Sequence, residues 1–495
     1  MTGLVVQETE LTGAKNGGVA VTGGALPLSP GQKAIYSAGD FADAVTNVSL
    51  GQFLLFFLTA VVGLSGSLAG TALALTLVVD AFADPMIGYV SDNTRSRWGR
   101  RHPFMIAAAI PFALSIGLLF SVPKIASTSV LFAYVVAVLL LLRFSFSVFI
   151  LPYIALGAEL ARDYTDRSVL MVYRNFFNIC ANLLTVVLGF GIFMSGANGL
   201  LNRSAYIPFG WTCAGIVLAA ALISAFGTLS VRDRMYAVAV PERSALSRLF
   251  SELRDVFRNH SFLMLLMTIV VFWIAQGTAI SLGVHTYTYF WKINPATIQV
   301  ILISGTIGLF VGIPICAFLL KRLEKKDVCT SGIVIVCVLL FLPPVLRIAD
   351  MLPPNGVALT AILCAFSFIQ SVVLTHIFIS FNSMMVDATD EHDLLFGVRR
   401  EGLYFAALSF SGKAALGAGS LFAGIALQYI IHFPSDLSEH PHQVISAYSI
   451  TTLGLIAGPG AAMISALSAI AMSRYRISKR ELLRIQRELA RRNET

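Results

Sequence analysis

Charged side chains are scarce in this chain. They make up 13% of its 495 residues, about half of the roughly 25% usual in a soluble domain, which argues against an ordinary water-soluble globule of this length. Cysteine is thin as well. Cys180, Cys213, Cys316, Cys329, Cys337 and Cys364 lie in or beside apolar segments, with no CxxC pair and no metal-ligand spacing. They read as small packing residues, not as a disulfide framework or a zinc site. The start of the chain lacks a basic stretch followed by a compact apolar one, so residues 1–33 read as a flexible cytosolic lead-in and not as a cleaved signal peptide. No paired acid and base and no metal cluster stands near an interface. An enzyme is therefore not expected, including a membrane-embedded one acting on lipid or lipid-linked sugar, and no cofactor is implied.

Apolar residues fill the space left by charge: 56% of the chain is hydrophobic and the mean hydropathy is +0.78. Runs of about 20 apolar residues recur from end to end, the length that crosses a ~30 Å hydrocarbon layer as a helix. Spans are expected at roughly 34–60, 66–91, 103–122, 129–158, 171–195, 206–230, 261–288, 296–319, 328–347, 356–386, 401–431 and 444–473. The fold class is thus all-α, a polytopic membrane protein with twelve transmembrane helices. The net charge of +8 gathers in short loops on one side, where it sets topology instead of binding nucleic acid. Those loops hold Arg95, Arg97, Arg100 and Arg101; Arg162 and Arg167; Arg232 to Arg258; Lys321 to Lys326; Arg399 and Arg400; and the tail after Arg474. Both termini are expected in the cytosol and the protein in the plasma (inner) membrane. The middle loop, 231–260, divides the chain into two six-helix halves, 34–230 and 261–473, and a site between such halves at mid-membrane fits a transporter. The tail, 474–495, carries Leu482, Ile485 and Leu489 at helical spacing among bases. It reads as an amphipathic helix on the anionic inner leaflet, or as a segment with a protein partner.

A few charges sit where apolar residues are expected. Asp80 and Asp84 are four residues apart in an apolar span, on one face and about 6 Å apart at Cβ. Two such carboxylates repel unless one is protonated or a cation lies between them, and a carboxylate in a span normally marks an ion or substrate path. The bland alternative is that they pair with arginines and only hold the bundle together. Arg143 falls deep in span 4, either pairing with one of the acids or snorkelling. Arg174 suits an anionic substrate group or an acid of span 2. Lys413 stands alone among small and apolar residues, so an acid is expected to face it, Asp80 or Asp84. Asp40 and Asp43 lie in span 1 and Glu159 at the mouth of span 4. Asp387, Asp390, Arg399 and Arg400 lie in a turn, DATDEHDLLFGVRREG, that reads as a latch. Trp273 and Gln276, one turn apart, are candidates to line the path. His285 and His376 read more readily as packing histidines than as proton carriers. Glycines of span 11, namely Gly412, Gly417, Gly419 and Gly424, permit close helix approach.

At these residues the sequence resembles a known family. DAFADPMIGYVSDNTRSRWGRRHP is similar to the signature after span 2 of the glycoside–pentoside–hexuronide:cation symporters, a branch of the major facilitator superfamily. YSAGDFAD, LPYIALGAEL, YRNFF, GVRREGLYFA and GK follow in matching order. The resemblance implies cation-binding carboxylates at Asp80 and Asp84, a hydroxyl ligand at Ser147, and Lys413 beside the cation. It also implies substrate binding at Arg174, with Asp40, Trp273 and Gln276 as further candidates. A metal ion at Asp80 and Asp84 would be sodium, if sodium and not a proton is the coupling ion. Arg95, Arg97, Arg100, Arg101, Glu159, Asp387, Arg399 and Arg400 would form a cytosolic gate, the arginine turn holding the two halves together on the cytosolic face in the outward-open state. The sequence departs from the melibiose type, whose sugar acids and stacking tryptophan appear here as Ala44, Ile150 and Ile154. The implied function is cation-coupled secondary active symport of a sugar, glycoside or sugar acid by a monomer. A lysolipid or other amphiphile is the alternative cargo, and a sensor with a transporter-like body the alternative class.

Overall fold

The computed structural model describes residues 28–161, 164–196, 199–234, 256–398, 400–440 and 443–494. Most of the expected lead-in, most of the middle loop, and Arg162, Asp163 and Arg399 lie outside the described residues.

Six helices form the first half. They are α1 (Pro30–Val48, continued by π-helical turns at Ser49–Leu54 and Phe57–Val61), α2 (Gly66–Asn93), α3 (His102–Phe120), α4 (Thr128–Leu160), α5 (Tyr164–Val186, continued at Val187–Phe193) and α6 (Arg203–Gly227). Six more follow: α7 (His260–His285, continued at Thr286–Phe290), α8 (Pro295–Arg322), α9 (Lys325–Ile348), α10 (Val357–Phe396), α11 (Glu401–Ile425, continued at Ala426–Ile430) and α12 (Ala447–Leu455 through Ala461–Ser473). No strand occurs among the described residues. Ten of the helices are long and apolar enough to cross a membrane, and α1 and α2, which carry the deep carboxylates, complete the twelve.

Packing repeats with a period of six helices. In the first half α1 lies on α5 and α6, α3 on α4 and α6, and α2 on α4; in the second α7 lies on α11 and α12, α9 on α10 and α12, and α8 on α10. Across the halves α2 meets α11 and α5 meets α8, again a pair related by the same shift. The two halves are therefore structural repeats, joined along two seams.

The α2–α11 seam depends on glycine. A Cβ on Gly424 would meet the Gly66 carbonyl oxygen, and Gly70 Cα at 2.9 Å. Such contact of backbones brings the charged positions of α2 and α11 within reach of each other. Gly419 serves the α7–α11 contact in the same way, against the Thr278 nitrogen at 2.8 Å, whereas Gly412 faces only Trp273, at 4.0 Å.

Two segments differ from expectation. Helix α10 runs to Phe396 and ends at Gly397, whose φ of 77° closes it in the left-handed conformation. Asp387 and Asp390 are thus helical, and the expected latch turn shrinks to a few residues from Gly397. The tail helix α13 (Lys479–Glu494) turns its apolar stripe onto the protein. Ile485 is buried, and Leu482 and Leu489 pack against the core of the second half. Arg492 pairs with Asp393 at 2.9 Å, while Lys326 donates to the Ser473 and Tyr475 carbonyls at 2.8 Å. Burying that stripe against α10 removes from lipid the face that the sequence assigned to the membrane surface.

Candidate functional site

The α2 carboxylates meet two bases on different helices. Lys413 Nζ of α11 donates to Asp84 Oδ2 at 2.9 Å, and Arg143 Nη1 of α4 lies 3.7 Å from Asp80 Oδ2. Both pairings agree with the expectations for those bases, and Asp84 is the acid that faces Lys413. Each aspartate keeps its second oxygen unsatisfied: Asp80 Oδ1 and Asp84 Oδ1 are buried without a hydrogen-bond partner. The hydroxyl of Ser147 is also buried and unpartnered; it stands one turn beyond Arg143 on α4, the helix packed against α2. Orphaned buried oxygens are costly. Carboxylate and hydroxyl oxygens are of the type that suits a hard cation or a proton. Among the described residues no cluster of three or more His, Cys, Asp and Glu occurs, so this set differs in kind from a transition-metal site.

Arg174 is engaged by an acid of α1, not by one of α2. Its Nε and Nη2 donate to Asp40 Oδ2 and Oδ1 of α1 at 2.6 and 2.9 Å, a bidentate pair. The hydroxyl of Tyr153 donates to Asp40 Oδ2 at 2.7 Å, and the Tyr153 ring stacks on Tyr36 at 4.6 Å. Tyr153 had no role read from the sequence. The available signal was a tyrosine inside an apolar span, whose hydroxyl requires a partner. On α7, Trp273 meets the Phe378 ring edge-on at 6.1 Å, and the Gln276 amide nitrogen is buried without a partner.

The arginine turn works within the first half. Arg100 and Arg101 bind Glu159 at 3.2 and 3.0 Å, and Arg101 also pairs with Asp92 and donates to Ser91 Oγ at 2.7 Å. These bonds tie the α2–α3 turn to the buried end of α4, within the first half. Arg95 and Arg97 are exposed, Arg97 lying 5.3 Å from the Trp98 ring centre. Asp387 pairs with Lys325 at 2.7 Å inside the second half, and Arg400 immediately precedes α11.

At the face opposite the termini the halves are latched. The segment after α11 crosses to the end of α1: the Asp436 amide donates to the Thr59 carbonyl at 3.0 Å, and the Ser438 amide and hydroxyl donate to Ala60 and Val61 at 3.2 and 2.8 Å. Gly63, with φ of 86°, gives the chain the turn it needs there; a Cβ would press on Asp436 Cβ at 3.0 Å. His285 Nε2 lies 2.9 Å from Thr59 Oγ1, and Lys124 bonds Glu439 at 3.1 Å. That last hydrogen bond holds the Glu439 carboxyl below the usual carboxylate range.

Known proteins resemble this chain along most of its length. The sequence model of the MFS/sugar transport protein family matches residues 35–479. An uncharacterized symporter of Synechocystis sp. is 40% identical over 161 residues, a match that spans 32% of this chain and 30% of that protein. The isoprimeverose transporter of Lactiplantibacillus pentosus is 23% identical over 453 residues, 90% of this chain and 88% of that protein. Among solved structures, the inward-open xylose transporter XylE from E. coli aligns with a TM-score of 0.55 at 12% identity, covering 90% of this chain and 95% of that one; it has the same fold.

Proposed function

The chain belongs to the MFS/sugar transport protein family, and from that premise we propose that it is a cation-coupled symporter of a sugar or glycoside, working by alternating access. One observation carries the coupling: Asp80 Oδ1, Asp84 Oδ1 and Ser147 Oγ, on the packed helices α2 and α4, are each buried with no hydrogen bond, while Arg143 and Lys413 approach only the other carboxylate oxygens. A sodium ion or proton would supply what those oxygens lack. Lys413 then acts as a built-in rival charge, holding Asp84 while the cation is away. The name of the isoprimeverose transporter supports a saccharide as cargo, and Trp273 and Gln276 offer a ring face and an amide beside the path.

The latch at Thr59–Val61 supports a conformation closed at the face opposite the termini and open toward the terminal face. The basic loops on the terminal face assign it to the cytosol, which makes this the inward-facing state in a plasma or inner membrane. Coupling follows if cation and sugar each stabilise one occluded form, a reciprocal linkage typically worth ~1–3 kcal/mol. The test is uphill uptake in proteoliposomes under a sodium or proton gradient. Asp84→Asn should abolish it while the protein still inserts and remains folded; full uphill uptake by that variant would remove the ion-site assignment.

A further inference from the structure

Three bases lie deep in the spans, and each already holds a carboxylate: Arg143 with Asp80 at 3.7 Å, Lys413 with Asp84 at 2.9 Å, and Arg174 with Asp40 at 2.6 Å. A further carboxylate on α1, Asp43, is half-buried and accepts a hydrogen bond from Asn47 at 2.9 Å. It lies within electrostatic reach of Arg174 and Lys413. The four acids outnumber the three bases, so this ensemble offers no spare positive charge to a negatively charged substrate.

Two of these bases carry the guanidinium fork that matches a carboxylate bidentately: Arg143, 3.7 Å from Asp80 with its Nε buried and unpartnered, and Arg174, which is engaged in full. That fork is filled from within the protein. Nε and Nη2 are spent on the two Asp40 oxygens, and Nη1 meets Met171 Sδ at 3.6 Å. Asp40 is fixed in place by the Tyr153 hydroxyl, and α1 comes near enough to α4 because residue 39 is glycine: a Cβ there would strike the Tyr153 ring. An incoming carboxylate would have to break the bidentate pair and leave Asp40 buried and uncompensated. A neutral hydroxyl has no such obstacle, since it can accept from Arg174 Nη1 and donate to Asp43.

We propose that Asp40 is a specificity-determining residue which, by filling the Arg174 fork, makes the site take uncharged polyhydroxylated substrates and refuse sugar acids. This rests on the sugar-symport reading and names which of its substrates the site accepts. The experiment uses full-length protein in nanodiscs and matched probes: methyl pyranosides of several stereochemistries, each with the methyl uronide of the same ring. Ligand affinity is measured by titrating thermal stability in wild type, Asp40→Asn and Asp40→Glu.

In wild type the neutral member of a binding pair should bind at least about tenfold more tightly than its uronide. Asp40→Asn frees the fork, so the ratio should swing toward the uronide by about tenfold or more. Asp40→Glu restores a carboxylate and should keep the wild-type order. A merely structural Asp40 would weaken both members alike and leave the ratio unchanged, which overturns the proposal; so does a wild-type preference for the uronide. If no sugar of either kind binds any of the three proteins, the symport reading itself fails and takes this filter with it.

Discussion

Replacing Lys413 with alanine tests the idea that this ammonium competes with the transported cation. Its Nζ lies 2.9 Å from Asp84 Oδ2, and the two side chains are 36% and 24% exposed. At such a separation two unit charges attract by about 6 kcal/mol at an effective dielectric of about 20, and by about 1.4 kcal/mol in bulk water. Exposure moves the pair toward the watery limit, to about 2 kcal/mol. A cation that binds Asp84 must replace that attraction, so Lys413→Ala should bind its cation about thirtyfold more tightly. Uphill uptake should nevertheless fall, because a cation held that firmly is released too slowly to turn the cycle. The assay is a sodium titration of thermal stability at fixed pH, with a pH titration in sodium-free buffer beside it, both without sugar. Unchanged or weaker affinity for both ions would refute the competition.

Two further outcomes follow from the helix seams and the latch. Cysteines at Lys124 and Glu439, whose charged side-chain ends meet at 3.1 Å, joined by a bismaleimide that spans the shortened side chains in a background without the native cysteines, should stop uptake; transport undisturbed by the cross-link would mean that this face need not open. Gly424→Leu would place a side chain against the Gly66 carbonyl and Gly70, an overpacking costing about 1–3 kcal/mol. It should lower the melting temperature, and an unaltered one would show that the α2–α11 seam can relax.

The spans were legible because crossing lipid demands length and apolarity, and both are written in order along the chain. The candidate ion site drew notice for the opposite reason: Asp80 and Asp84 are expensive where they stand, so their presence nominates a function. Lys413 was readable by the same cost, and charge balance narrowed its partner to Asp80 or Asp84 across a sequence separation of 329; the structure selects Asp84. Arg174 shows where that logic ends. Charge balance says that it needs an acid but not which one, and Asp40, 134 residues away, was reached only through the packing of α1 on α5. The latch was illegible because it consists largely of backbone donors and carbonyls, which every residue carries. The arginine turn was legible only in part: several bases announce a loop and its side of the membrane, but not that Arg100 and Arg101 bind a buried Glu159 in their own half. In the tail, an amphipathic stripe specifies an apolar neighbour without saying whether lipid or protein supplies it, and here Ile485 found protein.

The claim beneath this account is that a cation enters with the cargo by neutralising the α2 carboxylates. Its most direct measurement is cation flux into proteoliposomes with no ion gradient imposed, recorded when a transported sugar is added outside. Downhill sugar entry should carry sodium or protons inward with it. Sugar entering at full rate with neither ion accompanying it would contradict the account.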